Sequence, residues 1–397
     1  MKKCISTMLS LCLAVGLLSG MGAQKVQADT AVVYECENND TKEVANSISG
    51  NEKVVGAITT GDVDFYKYTV SGAGIFSVNF SQYDYVTEDC YDIVIYDSNM
   101  NKINEETLVS SCTTKRVNFK KGTEFYIAVS ASLEQYDCSQ NGHYCLELNW
   151  TPKSNWEIES NDTKKTATQL NNKMVGTLYA EKDVDFYKYT APKKGYVNFS
   201  FINEESLTDS PGWSVYIYDS SLKEIGSWKN VCANQVFGNV IVKKGTVLYI
   251  KVEKGLEGEG LGVEVLDKAY SITPILKTKT YLETEKNNSC SKANSIKLKK
   301  SYTGALNGNN DTDYYKIKAT STGTYKASLK LQKAVENGYS LVVYDSKKKE
   351  IKSATDIKEN GKVKFKVKKG KTYYVQIKYY TSAWQSANQL YTLKVTK

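Results

Sequence analysis

Three stretches of this 397-residue chain open alike, and that recurrence constrains the fold more than any other feature. They read Glu35-Cys36-Glu37-Asn38-Asn39-Asp40-Thr41, Glu157-Ile158-Glu159-Ser160-Asn161-Asp162-Thr163 and Glu283-Thr284-Glu285-Lys286-Asn287-Asn288-Ser289. Each is followed by a glycine and then an Asp-x-Asp-aromatic-Tyr-Lys block, at residues 62–67, 183–188 and 311–316. Further on come a Tyr-Asp-Ser segment, at 96–98, 218–220 and 344–346, and a Lys-Lys-Gly turn, at 120–122, 243–245 and 368–370. From Asp97 to Asp219 is 122 positions and from Asp219 to Asp345 is 126. Each unit therefore has the length of a domain and not of a solenoid repeat, which runs to about 20–50 residues. Three tandem domains are expected at 29–152, 153–276 and 277–397, with no stretch between them for a catalytic domain.

Within a unit the hydrophobic period is two. Phe65 to Thr69 and Tyr91 to Tyr96 read as strands, Val117 to Val129 reads as a hairpin closed by the Lys-Lys-Gly turn, and Tyr144 to Leu148 reads as a closing strand. About eight short strands in about 120 residues predict an all-β chain of antiparallel sandwiches. The segment after each acidic opening, such as Lys42 to Ser47, is the one place where a short helical turn is expected.

Residues 1–28 carry Lys2 and Lys3, an apolar run from Met8 to Leu18, and small residues at Val26-Gln27-Ala28, the pattern of a cleaved secretory signal. The apolar run is shorter than the about 20 residues that span a bilayer, and no later segment is long or apolar enough. A secreted, extracellular chain, associated with a cell surface and without a transmembrane segment, is expected. Beyond Cys4 and Cys12, seven cysteines remain, an odd number that leaves at least one thiol unpaired within a monomer. Cys90 with Cys112 and Cys138 with Cys145 are candidate local disulfides, and the absence of a CxxC spacing gives zinc or thioredoxin-like chemistry little support. The one histidine, His143, rules out multi-histidine metal centres and leaves a single candidate general base, in the first unit alone. A non-enzyme is expected, because nothing recurring in all three units is a nucleophile paired with a base.

In this fixed order, repeated three times, the motifs resemble the bacterial pre-peptidase C-terminal domain family, whose relatives include the collagen-binding domains of clostridial collagenases. The resemblance implies a jelly-roll-like β-sandwich for each unit and a non-catalytic role beside secreted peptidases. In the collagen-binding relatives the acidic opening and the aspartate before the aromatic pair bind Ca²⁺. By position, that implies Glu35, Glu37, Asn39, Asp40 and Asp64 as ligands in the first unit, Glu157, Glu159, Asn161, Asp162 and Asp185 in the second, and Glu283, Glu285, Asn287 and Asp313 in the third. Clustered carboxylates repel one another without a cation, and Ca²⁺ takes six to eight hard oxygens, so the chemistry points the same way. Asn288 stands where Asp40 and Asp162 stand and removes a charge. Those relatives also carry an acid three positions before the strand aspartate. Here Gly61, Lys182 and Asn310 hold that place, and Asp62, Asp183 and Asp311 lie one residue nearer. The alternative reading of the acidic opening is a helix N-cap, for which Asn-Asp-Thr is suited.

Charge is segregated along the chain. Residues 277–397 carry 26 Lys against 9 acidic residues, whereas residues 29–276 carry 23 basic and 35 acidic residues. A cationic third unit attracts polyanions such as teichoic acids, acidic glycans or nucleic acid, although a lysine-rich face that only keeps the chain soluble is the competing reading. Arg116 is the sole arginine, which disfavours bidentate recognition and with it sequence-specific reading of nucleic acid. Tyr373, Tyr374, Tyr379, Tyr380 and Trp384 concentrate aromatics late in the third unit and form a candidate platform for an extended protein or polysaccharide. Two functions follow as expectations. One is a binding protein for an extracellular polymer, including an anionic cell-wall polymer through the third unit. The other is a spacer or accessory subunit for a separately encoded secreted peptidase.

Overall fold

The computed structural model describes residues 32–59, 61–82, 89–132, 142–180, 182–205, 207, 212–255, 265–381 and 389–397. The signal segment, Cys138 and Trp384 lie outside the described residues. Six sheets pair into three β-sandwiches, with ten described strands in the first and nine in each of the others. The chain divides into two compact units, one ending at Ser154 and holding the first sandwich, the other running from Asn155 to Lys397 and holding the second and third.

One sheet of each sandwich is built around the Asp-x-Asp strand. In the second sandwich its order is Thr168–Gln169, Val184–Thr190, Val247–Lys254, Trp213–Asp219, Glu224–Val231, and the opposing sheet is Met174–Gly176, Tyr270–Lys277, Gly195–Asn203, Gln235–Val242. The third sandwich repeats both orders. Alternation sets the core: in Val184–Thr190 the burial pattern reads half-buried, buried in turn, which sends Asp185, Tyr187 and Tyr189 inward. These meet Val197, Phe199 and Phe201 from the opposing sheet around the fully buried Trp213. Pairing is antiparallel except at short edge strands, where Asn46–Ile48 runs parallel to Val63–Thr69 and Val32–Tyr34 runs parallel to Lys53–Ile58.

Three expectations are corrected. The Lys-Lys-Gly turn does not close a hairpin. Gln235–Val242 and Val247–Lys254 flank it in different sheets, so the turn arches across the sandwich edge. The Thr246 N–H donates to the Lys243 carbonyl at 3.0 Å with Gly245 at φ 82°, a left-handed position that glycine adopts without a Cβ penalty. Lys42 to Ser47 forms no helix either, because Asn46–Ile48 joins a sheet and the Asn46 side chain clamps Cys36, accepting from its N–H (2.8 Å) and donating to its carbonyl (2.9 Å). The helical turn expected after each acidic opening is met in the third unit, where Cys290–Lys292 makes a single 3₁₀ turn, the only helical one among the described residues. Lastly, Cys112 and Cys145 are free thiols while Cys90 is disulfide-bonded, so neither candidate local pair forms.

The second and third sandwiches share a seam. Tyr196 and Ile241, on the outer face of the second, pack against Leu282, Ala305 and Leu390 of the third. The Asn307 side-chain amide accepts from the Ile241 N–H (3.2 Å) and donates to the Ile241 carbonyl (3.3 Å), which covers backbone groups on an edge strand. Lys194 Nζ adds a bond to the Leu282 carbonyl at 2.9 Å.

Candidate metal centres

Each acidic opening lies against the start of the Asp-x-Asp strand. The backbone N–H of Phe65 donates to the Asn39 carbonyl (2.9 Å), that of Phe186 to Asn161 (3.0 Å) and that of Tyr314 to Asn287 (3.1 Å). This docking brings carboxylate oxygens of Glu35, Glu37 and Asp64 within 4.8 Å of one another, as it does for Glu157, Glu159 and Asp185 and for Glu283, Glu285 and Asp313. Asp64, Asp185 and Asp313 point into the sandwich from inward positions of their strands and are fully buried.

Two buried tyrosines frame each group. Tyr187 donates to Glu157 Oε2 and Tyr270 donates to Asp185 Oδ2. In the third sandwich Tyr315 donates to Glu283 Oε2 at 2.6 Å and Tyr391 donates to Asp313 Oδ2. In the first, Tyr66 donates to Glu35 Oε2 at 3.0 Å and Tyr144 donates to Asp64 Oδ2 at 2.5 Å. The first glutamate's other oxygen accepts a backbone N–H from the facing strand, at 2.5 Å from Ala57, 2.6 Å from Thr177 and 2.6 Å from Ala305. Each of those residues follows a glycine. A Cβ added at Gly176 would stand 2.6 Å from Glu157 Oε2, so the carboxylate reaches the strand only because no side chain is there.

The oxygens left over bear on what these groups could hold. Oδ1 of Asp64, Asp185 and Asp313 and Oδ1 of Asn39, Asn161 and Asn287 are all buried without a hydrogen-bond partner. Each such atom costs about 1–3 kcal/mol if nothing meets it. Six of them at equivalent places in three sandwiches fit a ligand shell, and an all-oxygen donor set of carboxylates and amides fits Ca²⁺ over softer metals.

A second acidic group adjoins the first in two sandwiches: Glu37, Asp40 and Asp62, and Glu159, Asp162 and Asp183. Asp62 and Asp183 were not among the expected ligands, because their offset differs by one residue from that of the collagen-binding relatives. They precede the strand, where the two-residue alternation does not bind them. Each turns back to close its loop, Asp62 Oδ2 accepting the Thr59 N–H (3.2 Å) and Asp183 Oδ2 the Tyr179 N–H (2.7 Å). The framing tyrosines Tyr144, Tyr270 and Tyr391 were also missed as site residues, although each recurs at the closing strand.

Burial raises the deeper of these acids, and repulsion from neighbouring carboxylates adds to it at Asp64 and Asp183. Asp64 is pushed up to about 8 and Asp183 to about 9. Desolvation likewise lifts Glu157 and Glu283 to about 7 and Glu285 to about 9, and it holds Glu159, Asp185 and Asp313 well above the usual carboxylate range. A carboxyl raised on folding contributes stability that is complete below its unfolded value near 4 and lost as pH rises through its folded value. With calcium chelated, the melting temperature is therefore expected to be higher at pH 5 than at pH 8.5. With calcium in excess the order reverses, because protons compete with the ion. Melting curves at both pH values, with and without chelator, check the crossing.

The aromatic platform is corrected. Tyr373 and Tyr379 belong to the core of the third sandwich, Tyr374 is half-buried, and Tyr380 is 48% exposed, since alternate residues of Thr372–Tyr379 face inward. His143 is exposed on its strand. The Cys145 thiol two residues on is buried, and burial raises it, away from the thiolate a nucleophile needs.

No known family's sequence profile matches the chain, and no curated protein matches it. Among solved structures it is similar to the pre-peptidase C-terminal domain of a collagenase from Bacillus anthracis, at 21% identity over 26% of this chain and 93% of that one, with a TM-score of 0.22. It is also similar to the tandem CBM51 modules of a family 98 glycoside hydrolase from Streptococcus pneumoniae, at 11% identity over 56% and 82% of the two chains, with a TM-score of 0.18. A third similarity is to the CUB1-EGF-CUB2 region of human MASP-1/3, at 8% identity over 55% and 95%, with a TM-score of 0.17. Values of this size assign neither family nor function.

Proposed function

We propose that this is a secreted, non-catalytic adhesion protein whose calcium-stabilised sandwiches attach to an anionic extracellular polymer, such as a cell-wall polymer, through the third sandwich. One observation carries the reading. On the outer face of the sheet Ser301–Ala305, Leu390–Thr396, Gly323–Leu331, Asn360–Val367, six lysines point the same way: Lys326, Lys330, Lys362, Lys364, Lys366 and Lys394. Lys326 stands directly opposite Lys364, and Ser328 sits between Lys362 and Lys394. Like charges in direct register cost stability, so a folding advantage does not explain the arrangement. Strands about 4.8 Å apart, with same-face residues about 6.8 Å apart, space the ammonium groups as a flat comb for a chain of phosphates or carboxylates.

Retention on immobilised poly(glycerol phosphate) tests this. The full chain is expected to bind at low salt, and the variant Lys326→Gln, Lys362→Gln, Lys364→Gln, Lys366→Gln is expected to elute. Equal retention of the two removes the lysine face from the account. The seam between the second and third sandwiches supports a second reading, a stiff spacer presenting a secreted peptidase, for which co-purification with that peptidase is the test.

A further inference from the structure

We propose that the third sandwich takes one calcium ion where the second takes two, the side-chain amide of Asn288 occupying the place of the second ion. The inference rests on reading the acidic groups as calcium centres.

The two sandwiches can be compared atom by atom at this point. In the second, Asp183 is 4% exposed, its Oδ2 accepts the Tyr179 N–H, and its Oδ1 is buried with no hydrogen-bond partner. Asp183 forms a group with Glu159 and Asp162, one carboxylate oxygen of each lying within 4.8 Å of the others. Such a group is electrostatically incomplete without a cation. In the third sandwich the matching residue, Asp311, has both oxygens occupied. Its Oδ2 accepts the Asn307 N–H at 2.6 Å, and its Oδ1 accepts the Thr312 N–H at 2.8 Å and the Asn288 Nδ2–H at 2.6 Å. One N–H dipole thus does locally what a divalent ion does next door, and the change from aspartate to asparagine both removes the repelling charge and supplies the donor.

The deeper group is unaffected by this exchange. Asp313 Oδ1 and Asn287 Oδ1 remain buried and unpartnered, as Asp185 Oδ1 and Asn161 Oδ1 do in the second sandwich. One ion site is kept and the adjoining one is replaced.

The test counts ions. The full chain is stripped with chelator, dialysed to equilibrium against calcium, and its bound calcium per chain measured by atomic emission. Asn288→Asp is expected to hold one more ion than the wild type, and Asp162→Asn one fewer. If Asn288→Asp keeps the wild-type spectrum and gains no ion, the inference is overturned. Should that variant not fold, Asp162→Asn decides: an unchanged count overturns the inference, and a loss of one supports it. A wild-type chain that holds no calcium instead overturns the reading beneath it, so the two failures are distinguishable.

Discussion

Removing calcium is expected to lower the melting temperature of the full chain by on the order of 5–10 °C for each ion lost. A ligand that binds only the folded state contributes about 2.7 kcal/mol at 100 times its dissociation constant. For units of this size 1 kcal/mol moves the midpoint by about 2–4 °C or somewhat more. The effect is large because the apo state keeps carboxylates together in places water does not reach, Asp185 and Glu157 among them. Breaking one member of such a set while its partners stay charged is costly, whereas neutralising a member of an uncompensated set is not. Asp185→Asn should therefore lie below the wild type in calcium and above it in chelator at pH 8. A variant that falls below the wild type in both solvents would show that Asp185 serves packing alone.

Loss of charge on the lysine face is the second large effect expected. A lysine near a dense anionic surface contributes about 1 kcal/mol. Changing Lys326, Lys362, Lys364 and Lys366 to glutamine should thus weaken attachment to poly(glycerol phosphate) by about 10³-fold, and changing them to glutamate by more. Wild-type attachment should fade between 0.1 M and 1 M salt as the screening length shrinks from about 10 Å to about 3 Å. The residual slope of log affinity against log salt should drop by roughly one for each lysine removed. These side chains are outward-facing members of alternating strands, with Val363, Phe365 and Val367 supplying the core contacts, so the variants should melt close to the wild type. Attachment that survives 1 M salt would mean that something other than charge holds the polymer.

Much of the fold was legible because alternation and threefold recurrence report it directly. Val63–Thr69, Val184–Thr190 and Thr312–Lys318 share one burial pattern, and their sequences share the order Asp-aromatic-Tyr-Lys. The Lys-Lys-Gly arch was not legible. Two period-two strands joined by a three-residue turn have the same pattern whether they pair with each other or cross between sheets. The same limit applied to Tyr373 and Tyr379, whose alternation gives two faces without saying which is inside. In the centres, the acids were visible by type and the strand aspartates by position. Asp62 and Asp183 were passed over because a one-residue offset looks like the wrong face of a strand, and both in fact sit in the loop before it. Tyr144, Tyr270 and Tyr391 lie more than 70 positions from the aspartates they contact, at separations that only the closed sandwich brings together.

The central claim, that the buried acids form ion centres, is tested most directly with terbium, which takes calcium sites and emits when a nearby aromatic ring passes excitation to it. Tyr66, Tyr187 and Tyr315 lie against the carboxylates, so exciting tyrosine in the chelator-stripped chain should produce strong terbium emission that added calcium titrates away. Emission no stronger than that of free terbium, or emission indifferent to millimolar calcium, would contradict it.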